Sequence, residues 1–438
     1  MSQDINIKKL LSILPGEDVI VQCMHCGMCL STCPTYNVDF LERSSPRGRI
    51  RLIKSLAEGK LDITQTFIDE MNYCLDCQAC ETACPAGVKY GSLVEAARDI
   101  ITKSGKDSFG ARYIKRFALH YVVGSKLNIK IVGKLLYFYQ NFGIEWLANK
   151  FFGLFKSLKI MVEMNKMTPR ISKVFSDSQI KEITEPVGEA RYNVIVPTGC
   201  IMNVAFADIN LDTVEVLKRN NCRIICPPDQ GCCGSLMAHY GELDLAKDLA
   251  KKTIDQFSKY KFDYIVSNSA GCAAYMKEYA HIFEDDPDYS ERAKVLSGRV
   301  KEVTEFIDMA GITAPLNSVK ETVTYHDACH LCHTQKITKE PRALLNQIPG
   351  LDLKPLDESM WCCGSAGIYN VVRYEDSMKF LKRKMENIKN TGADTVVTGN
   401  PGCMGQIQYG AEKFNVPVKV IHPVSLLRKS LEENQSNH

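Results

Sequence analysis

Cysteines at 23, 26, 29 and 33, closed by Pro34, and at 74, 77, 80 and 84, closed by Pro85, carry the clearest chemistry in this 438-residue sequence. Both runs, CMHCGMCLSTCP and CLDCQACETACP, have the iron–sulfur ligand spacing in which a tight loop aims three thiolates at one cube. The proline turns the chain away, so the fourth ligand comes from elsewhere. One such run also suits a zinc knuckle; two in register point to iron. In two-cluster arrangements of this kind the fourth cysteine of each run serves the other cluster. The expected sets are Cys23, Cys26 and Cys29 with Cys84, and Cys74, Cys77 and Cys80 with Cys33. A chain holding two 4Fe-4S clusters this way transfers electrons.

Eight more cysteines fall in a duplicated pattern. YNVIVPTGC matches TVTYHDAC, GCCGSLMAHY matches WCCGSAGIYN, and DYIVSNSAGC matches DTVVTGNPGC, at offsets of 129, 130 and 131 residues. A drift this small marks an internal repeat. Each copy places one cysteine after a strand, an adjacent pair beside glycine, and one after a later strand. These are Cys200, Cys232, Cys233 and Cys272 in the first copy, and Cys329, Cys362, Cys363 and Cys403 in the second. Ligands of open α/β sheets gather at the carboxyl ends of strands, so each set is expected to converge on metal, with glycines such as Gly199, Gly231, Gly234, Gly271, Gly364 and Gly402 admitting bulky sulfur. Four thiolates suit zinc as well as iron; the two runs upstream favour iron. Cys222 reads as a core thiol, and Cys226 either as another or as an extra group near the first set. His330 and Cys332 lie near the second set; His326 and His333 flank it and could ligate or donate protons, but are expected to be exposed bystanders.

The elements that must position these residues change character along the chain. Residues 1–105 read as a mostly helical ferredoxin-type domain: a lead-in with Ile5, Leu10, Leu11, Ile13 and Leu14 on one stripe, a helix after Ser45-Pro46, and an amphipathic helix in SLVEAARDIITK. Arg43, Arg47, Arg49 and Arg51 beside the first run read as a solvated basic face; the sharper alternative has them offset cluster charge or meet an acidic partner. Residues 106–188 form a helical linker region. From 126 to 166 it holds seven lysines against Glu145 and Glu163 and is rich in aromatics, which suits helices packed on a neighbouring domain or subunit, or lying on a membrane interface. Gly124, Gly133, Gly143 and Gly153 interrupt it too often for one long helix, and 167–188 reads as polar linker. Strands then alternate with helices in two units, 189–318 and 319–438, each an α/β unit with a parallel sheet.

Nineteen cysteines in a chain with no apparent signal peptide or apolar span suggest a reducing cytosol and metal rather than disulfides. The net charge of +3 gives no reason to expect nucleic acid. No G-x-G-x-x-G follows a strand, so flavin and nicotinamide are expected on another chain.

Taken together, CMHCGMCLSTCPTYNVD, SPRGRIRLIK, CLDCQACETACPAGVKYGSLVEAARDI and the two Cys-Cys-Gly blocks resemble the iron–sulfur subunit of glycolate oxidase. That family is related to the cysteine-rich subunit of anaerobic glycerol-3-phosphate dehydrogenase and to the CCG-domain subunits of heterodisulfide reductase. The resemblance implies two CCG units behind the ferredoxin-type domain and a role as electron-transfer subunit of a flavin-dependent 2-hydroxy-acid (glycolate or D-lactate) dehydrogenase. A partner FAD subunit would supply the electrons, and a quinone or redox protein would take them. The alternative is a thiol–disulfide or quinone reductase with the CCG units as active site. The heterodisulfide reductase pattern ends each unit in C-x-x-C, whereas here Tyr275 and Gln406 stand in the last position.

Overall fold

The computed structural model describes residues 11–107, 109–155 and 158–432. Ile5 and Leu10 of the expected lead-in stripe lie outside the described residues; Leu11, Ile13 and Leu14 pack against the N-terminal core. That core joins three helices, α1 (Pro46–Ala57), α2 (Gln65–Tyr73) and α3 (Tyr90–Ser104). Ser45 caps α1 by accepting from the Gly48 amide at 3.0 Å, and Pro46 needs no partner for an amide it lacks. Ile53, Phe67, Met71, Leu93, Val94 and Ile100 meet between the helices and are fully or almost fully buried. The second cysteine run begins directly after α2, and the first precedes α1.

A π-helical turn (Phe117–Val123) leads into α4 (Lys126–Asn141), α5 (Ile144–Leu154) and α6 (Lys159–Met167). Two of the four glycines do not break helices. Gly153 lies within α5, and Gly133 lies within α4 where it presses the next domain: a Cβ there would sit 3.1 Å from the Phe175 ring and 3.5 Å from Val204. The stretch read as polar linker is also structured. Ile171 and Phe175 are buried, and Ile183–Thr184 forms strand β1. Its polar side chains misled because they are satisfied internally: Ser176 donates to Asn203 at 2.8 Å and accepts from Asn210 at 2.8 Å.

Eight further strands follow: β2 (Tyr192–Ile195), β3 (Cys222–Ile225), β4 (Tyr264–Ser267), β5 (Val300–Glu302), β6 (Thr322–Tyr325), β7 (Asp352–Lys354), β8 (Thr395–Val397) and β9 (Lys419–Ile421). One sheet runs β1-β3-β2-β4-β5 and the other β7-β6-β8-β9. Apart from β1, which pairs antiparallel with β3, all pairs are parallel. The two orders superimpose, with β6 standing for β2 and β8 for β4, so the sequence repeat is a repeat of topology. The helices that matter for the site are α7 (Ala207–Arg219), α8 (Leu243–Phe257), α9 (Ala270–Lys277), α10 (Val303–Ala310), α11 (Tyr374–Thr391), α12 (Pro401–Lys413) and α13 (Pro423–Leu431). The units share one core, in which Val194, Leu217, Phe306, Val323, Leu344 and Leu427 pack together. Cys222 belongs to it, as expected, and so does Cys226.

The loops after β4 and β8 meet face to face. The Ala270 amide donates to Gly399 O at 3.1 Å and the Gly271 amide to Asn400 Oδ1 at 3.2 Å. The carboxyl ends of the two sheets, where the repeated cysteines sit, therefore point at a common space.

Candidate metal centres

The two N-terminal runs fold alike. His25 and Gly27 in the first, and Asp76 and Gln78 in the second, take left-handed φ values, curling each loop so that its first three cysteines face inward. Their surroundings differ. Cys26 is exposed and Cys23, Cys29 and Cys84 are half-buried, whereas Cys33, Cys74, Cys77 and Cys80 are buried. Cys33 faces the second run: burial first, then the neighbouring Cys77, Cys74 and Cys33 thiols, push the Cys80 thiol well above its ordinary value. Cys84 packs against the core that takes in Cys23, Cys29, Cys74 and Cys80 alike. Eight soft sulfur donors in two such loops suit iron–sulfur clusters.

Arg49 was expected on a solvated face and is instead fully buried. Its guanidinium donates to Glu70 O at 2.7 Å and Thr35 Oγ1 at 3.1 Å. Burial works against its charge, yet Tyr90, Cys74, Cys33 and Glu70 around it hold it firmly protonated. A fixed cation thus lies beside two thiols of the buried set. Arg43 and Arg47 pair with Glu70 and Glu42 at the surface.

In the C-terminal half, all eight repeated cysteines line one cavity of about 390 Å³. Cys200 and Cys232 lie 3.6 Å apart. The thiols follow one another in the order Cys200, Cys232, Cys233, Cys272, and in the second unit Cys329, Cys362, Cys363, Cys403, each in contact with the next. Contacts from Cys200 and Cys233 draw the Cys232 thiol well down, and the Cys233 contact draws Cys272 down. The glycine after each pair has a local reason beyond giving sulfur room. Gly234 and Gly364 have φ of +96° and +87°, and a Cβ would lie 2.7 Å from Ala246 O and 2.8 Å from Ser377 O. Only glycine makes that turn against α8 or α11.

The second unit adds groups of its own. His326 and His333 are not exposed bystanders: His326 is fully buried and His333 nearly so. His326 follows β6 directly, and its ring lies within 4.8 Å of the Cys363 and Cys403 sulfurs. Neither of its ring nitrogens makes a well-aligned hydrogen bond. Burial, then Lys384, drives it well below the ordinary histidine value, so it stays neutral. His333 Nδ1 pairs with Thr82 Oγ1 at 3.1 Å, tying this unit to the second cysteine run. Cys77 of that run packs in one apolar cluster with Cys329 and Cys362.

At the cavity wall stand two more histidines, His239 and His330, with ring centroids 4.7 Å apart. His239 Nδ1 meets Asp76 Oδ2 at 2.8 Å and Glu95 at 3.6 Å. Burial opposes its charge, but Asp76 and Glu95 hold its pKa above the ordinary value. Glu95 is pushed up to about 8, by burial and then by Asp76. His330 is driven down to about 3 by burial and then by His239. The sequence reading passed over His239, Asp76 and Glu95. Asp76 stands inside CLDC and His239 just past the first CCG block, but their pairing spans 163 residues. The missing C-x-x-C thiols are replaced at the site: Tyr275 packs beside the Cys232 cluster, and Gln406 donates to Cys363 O at 3.4 Å.

Comparison with known proteins agrees with this geometry. Residues 20–88 match the 4Fe-4S dicluster domain, and residues 194–277 and 323–408 each match the cysteine-rich domain called CCG. The chain is 37% identical over 418 residues to a probable glycolate oxidase iron–sulfur subunit of Bacillus subtilis (strain 168), covering 94% of each chain. It is 26% identical over 423 residues to the glycolate oxidase iron–sulfur subunit of Escherichia coli (strain K12), covering 96% of each. It is also 33% identical over 234 residues to lactate utilization protein A of Oceanobacillus iheyensis, covering 53% of this chain and 95% of that one. A dicluster domain, a duplicated cysteine-rich domain and near end-to-end likeness to the Bacillus subtilis protein place the chain in the glycolate oxidase iron–sulfur subunit family, as an iron–sulfur oxidoreductase subunit.

Proposed function

We propose that the chain takes electrons from a separate FAD-containing subunit oxidising glycolate or D-lactate and passes them singly to a quinone or another redox acceptor. It would work in the cytosol or on the inner face of the membrane. Cys23, Cys26, Cys29 and Cys84 hold one 4Fe-4S cluster, and Cys74, Cys77, Cys80 and Cys33 hold the other. Cys200, Cys232, Cys233 and Cys272, and Cys329, Cys362, Cys363 and Cys403, hold further metal. The observation that carries the reading is continuity of sulfur: the buried Cys77 run packs directly on Cys329 and Cys362 at the cavity of eight thiols. Electrons reaching the second cluster have the cavity as their next neighbour. Clusters alone move electrons and do not oxidise an alcohol, so the hydroxy acid is handled by the flavin. Assaying the purified chain with and without the flavoprotein tests this; hydroxy-acid oxidation by this chain alone overturns it.

Zinc in the cysteine-rich units has one observation in its favour. Zn–S bonds of about 2.3 Å in a tetrahedron put sulfurs about 3.8 Å apart, close to the Cys200–Cys232 separation of 3.6 Å. Metal analysis separates the cases, because the zinc reading allows only about eight irons per chain, four for each N-terminal cluster. The size of the shared cavity favours a second reading, a reductase acting on a small disulfide or quinone between the units. A substrate-induced spectroscopic signal from the cysteine-rich sites on adding disulfide would select it.

A further inference from the structure

Helix α4 turns a continuous apolar stripe away from the rest of the chain. Leu127, Ile131, Leu135, Phe138 and Phe142 recur every three or four residues and are 50 to 67% exposed. Its opposite side, with Ile129 and Gly133, is buried against Phe175 and Val204. Helix α5 continues the surface with Leu147, Phe151 and Leu154, 53 to 74% exposed, and Trp146 beside them. No residue of α5 is buried. Phe117 and Tyr121 extend the same character into the π-helical turn. A surface of this extent marks an interaction site.

The charges say what covers it. Helix α4 holds three lysines and no acid; Lys126 and Lys130 share Asp177 on the inner side, while Lys134 is exposed and donates to Lys173 O. The two carboxylates of the segment are engaged inward: Glu145 with Arg170, and Glu163 with Tyr374, Tyr409 and Lys413. Lys150 lies over the Trp146 ring at 5.2 Å, an apolar body with a charged tip at the edge of the patch. Protein–protein interfaces carry roughly one hydrogen bond per 100–200 Å², whereas the α4 stripe is wholly without polar side chains. An in-plane helix pair with apolar and aromatic side chains, with Lys134 and Lys150 exposed beside them, suits the headgroup region of an anionic bilayer. No described helix is long and apolar enough to cross a membrane, so the contact is with one leaflet.

We infer that the outer face of α4 and α5 seats on an anionic lipid surface. The segment also reaches the redox site: Val123, Met164 and Met167 line the cavity that holds the eight cysteines. The lipid face and the thiol cavity are therefore two sides of one helical layer, and a lipid-dissolved acceptor meets the protein where its sulfur path ends. This last point rests on the electron-transfer role proposed above; the lipid contact does not.

The test is co-sedimentation of the full-length, iron–sulfur-reconstituted chain with vesicles of phosphatidylglycerol and phosphatidylcholine, and of phosphatidylcholine alone. The expected result is binding to the anionic vesicles that weakens with salt, and a blue shift of Trp146 emission in a Trp361→Phe background. Leu135→Glu with Phe138→Glu, and separately Leu147→Glu with Phe151→Glu, should weaken binding by at least about tenfold while the cluster absorption spectrum is unchanged. Absence of anionic-vesicle binding overturns the inference. So does wild-type-like vesicle binding by variants that no longer co-purify with the flavoprotein, which would make the face a protein interface. Vesicle binding without flavoprotein-coupled electron transfer would leave the lipid contact standing and overturn the proposed function alone.

Discussion

The two cysteine-rich units hold the same four thiols, yet where the second has His326, Cys332, Lys384 and Gln406, the first has Pro197, Asn203, Thr253 and Tyr275 in register. The second unit buries polar and ionisable groups around its sulfurs and docks on the buried cysteine run. The first packs its sulfurs against tyrosines, with Tyr279 donating to Cys233 O at 2.6 Å, and borders the helical layer that carries the exposed apolar face. The features kept in both copies are those that aim sulfur: the strand-end cysteines, the adjacent pair and the left-handed glycine. Ser235/Ser365 and Gly271/Gly402 are kept as well, while the four positions named above have diverged. Duplication supplied two equal frames of cysteines, and their neighbours gave them different stations: one beside the Cys77 run, the other toward the apolar layer.

That asymmetry is best broken with single thiols. Cys77→Ser should remove about four irons per chain and reduce acceptor reduction by the reconstituted complex to background. Cys363→Ser and Cys233→Ser should each deplete metal from their own unit, but only Cys363→Ser should alter the paramagnetic spectrum of the reduced second cluster, because that unit adjoins Cys77. Equal spectra from the two variants would remove the distinction.

Arg49 sharpens the contrast between the N-terminal clusters. Replacing this buried cation by methionine should lower the potential of the Cys33–Cys74 cluster by on the order of 50–100 mV and leave the more exposed cluster within error in a redox titration. Arg49→Lys should recover most of the potential. Within the second unit, His326→Leu should weaken metal retention about tenfold in a chelator competition with no change at the first unit.

The smallest effect compares equivalent helix caps. Glu302 caps α10 and His422 caps α13, both fully buried. Burial raises Glu302 from 4.5 to about 7, so its contribution to stability is complete below pH 4.5 and lost as pH rises through 7. Burial lowers His422 from 6.5 to about 4, so its contribution is complete above pH 6.5 and lost as pH falls through 4. In thermal melts against pH, Glu302→Gln should flatten the decline as pH rises from 4.5 to 7, and His422→Asn the decline as pH falls from 6.5 to 4, each by at most about 3 kcal/mol.

The two N-terminal cysteine runs and the alternation of strands with helices were legible as short-range patterns, and the repeat as three matched segments at a near-constant offset. Burial of polar residues was not. Arg49 and His326 read as surface residues because their type predicts exposure, and only the packing of α2 on α1, or of α11 against β8 and Ala328, places them inside. Residues 167–188 read as linker for the same reason: serines and asparagines satisfied by one another look like those satisfied by water.

The sequence alone determined the two N-terminal cysteine runs, whose spacing is written in the loops that carry them, and it determined that the C-terminal half is doubled. Only the tertiary structure decided that both doubled sets open on one cavity, that Cys77 abuts the second, and that His239 joins Asp76 and Glu95 at its wall. Those contacts join residues more than a hundred positions apart, and such pairs are set by how the sheets and helices pack, not by any local pattern along the chain.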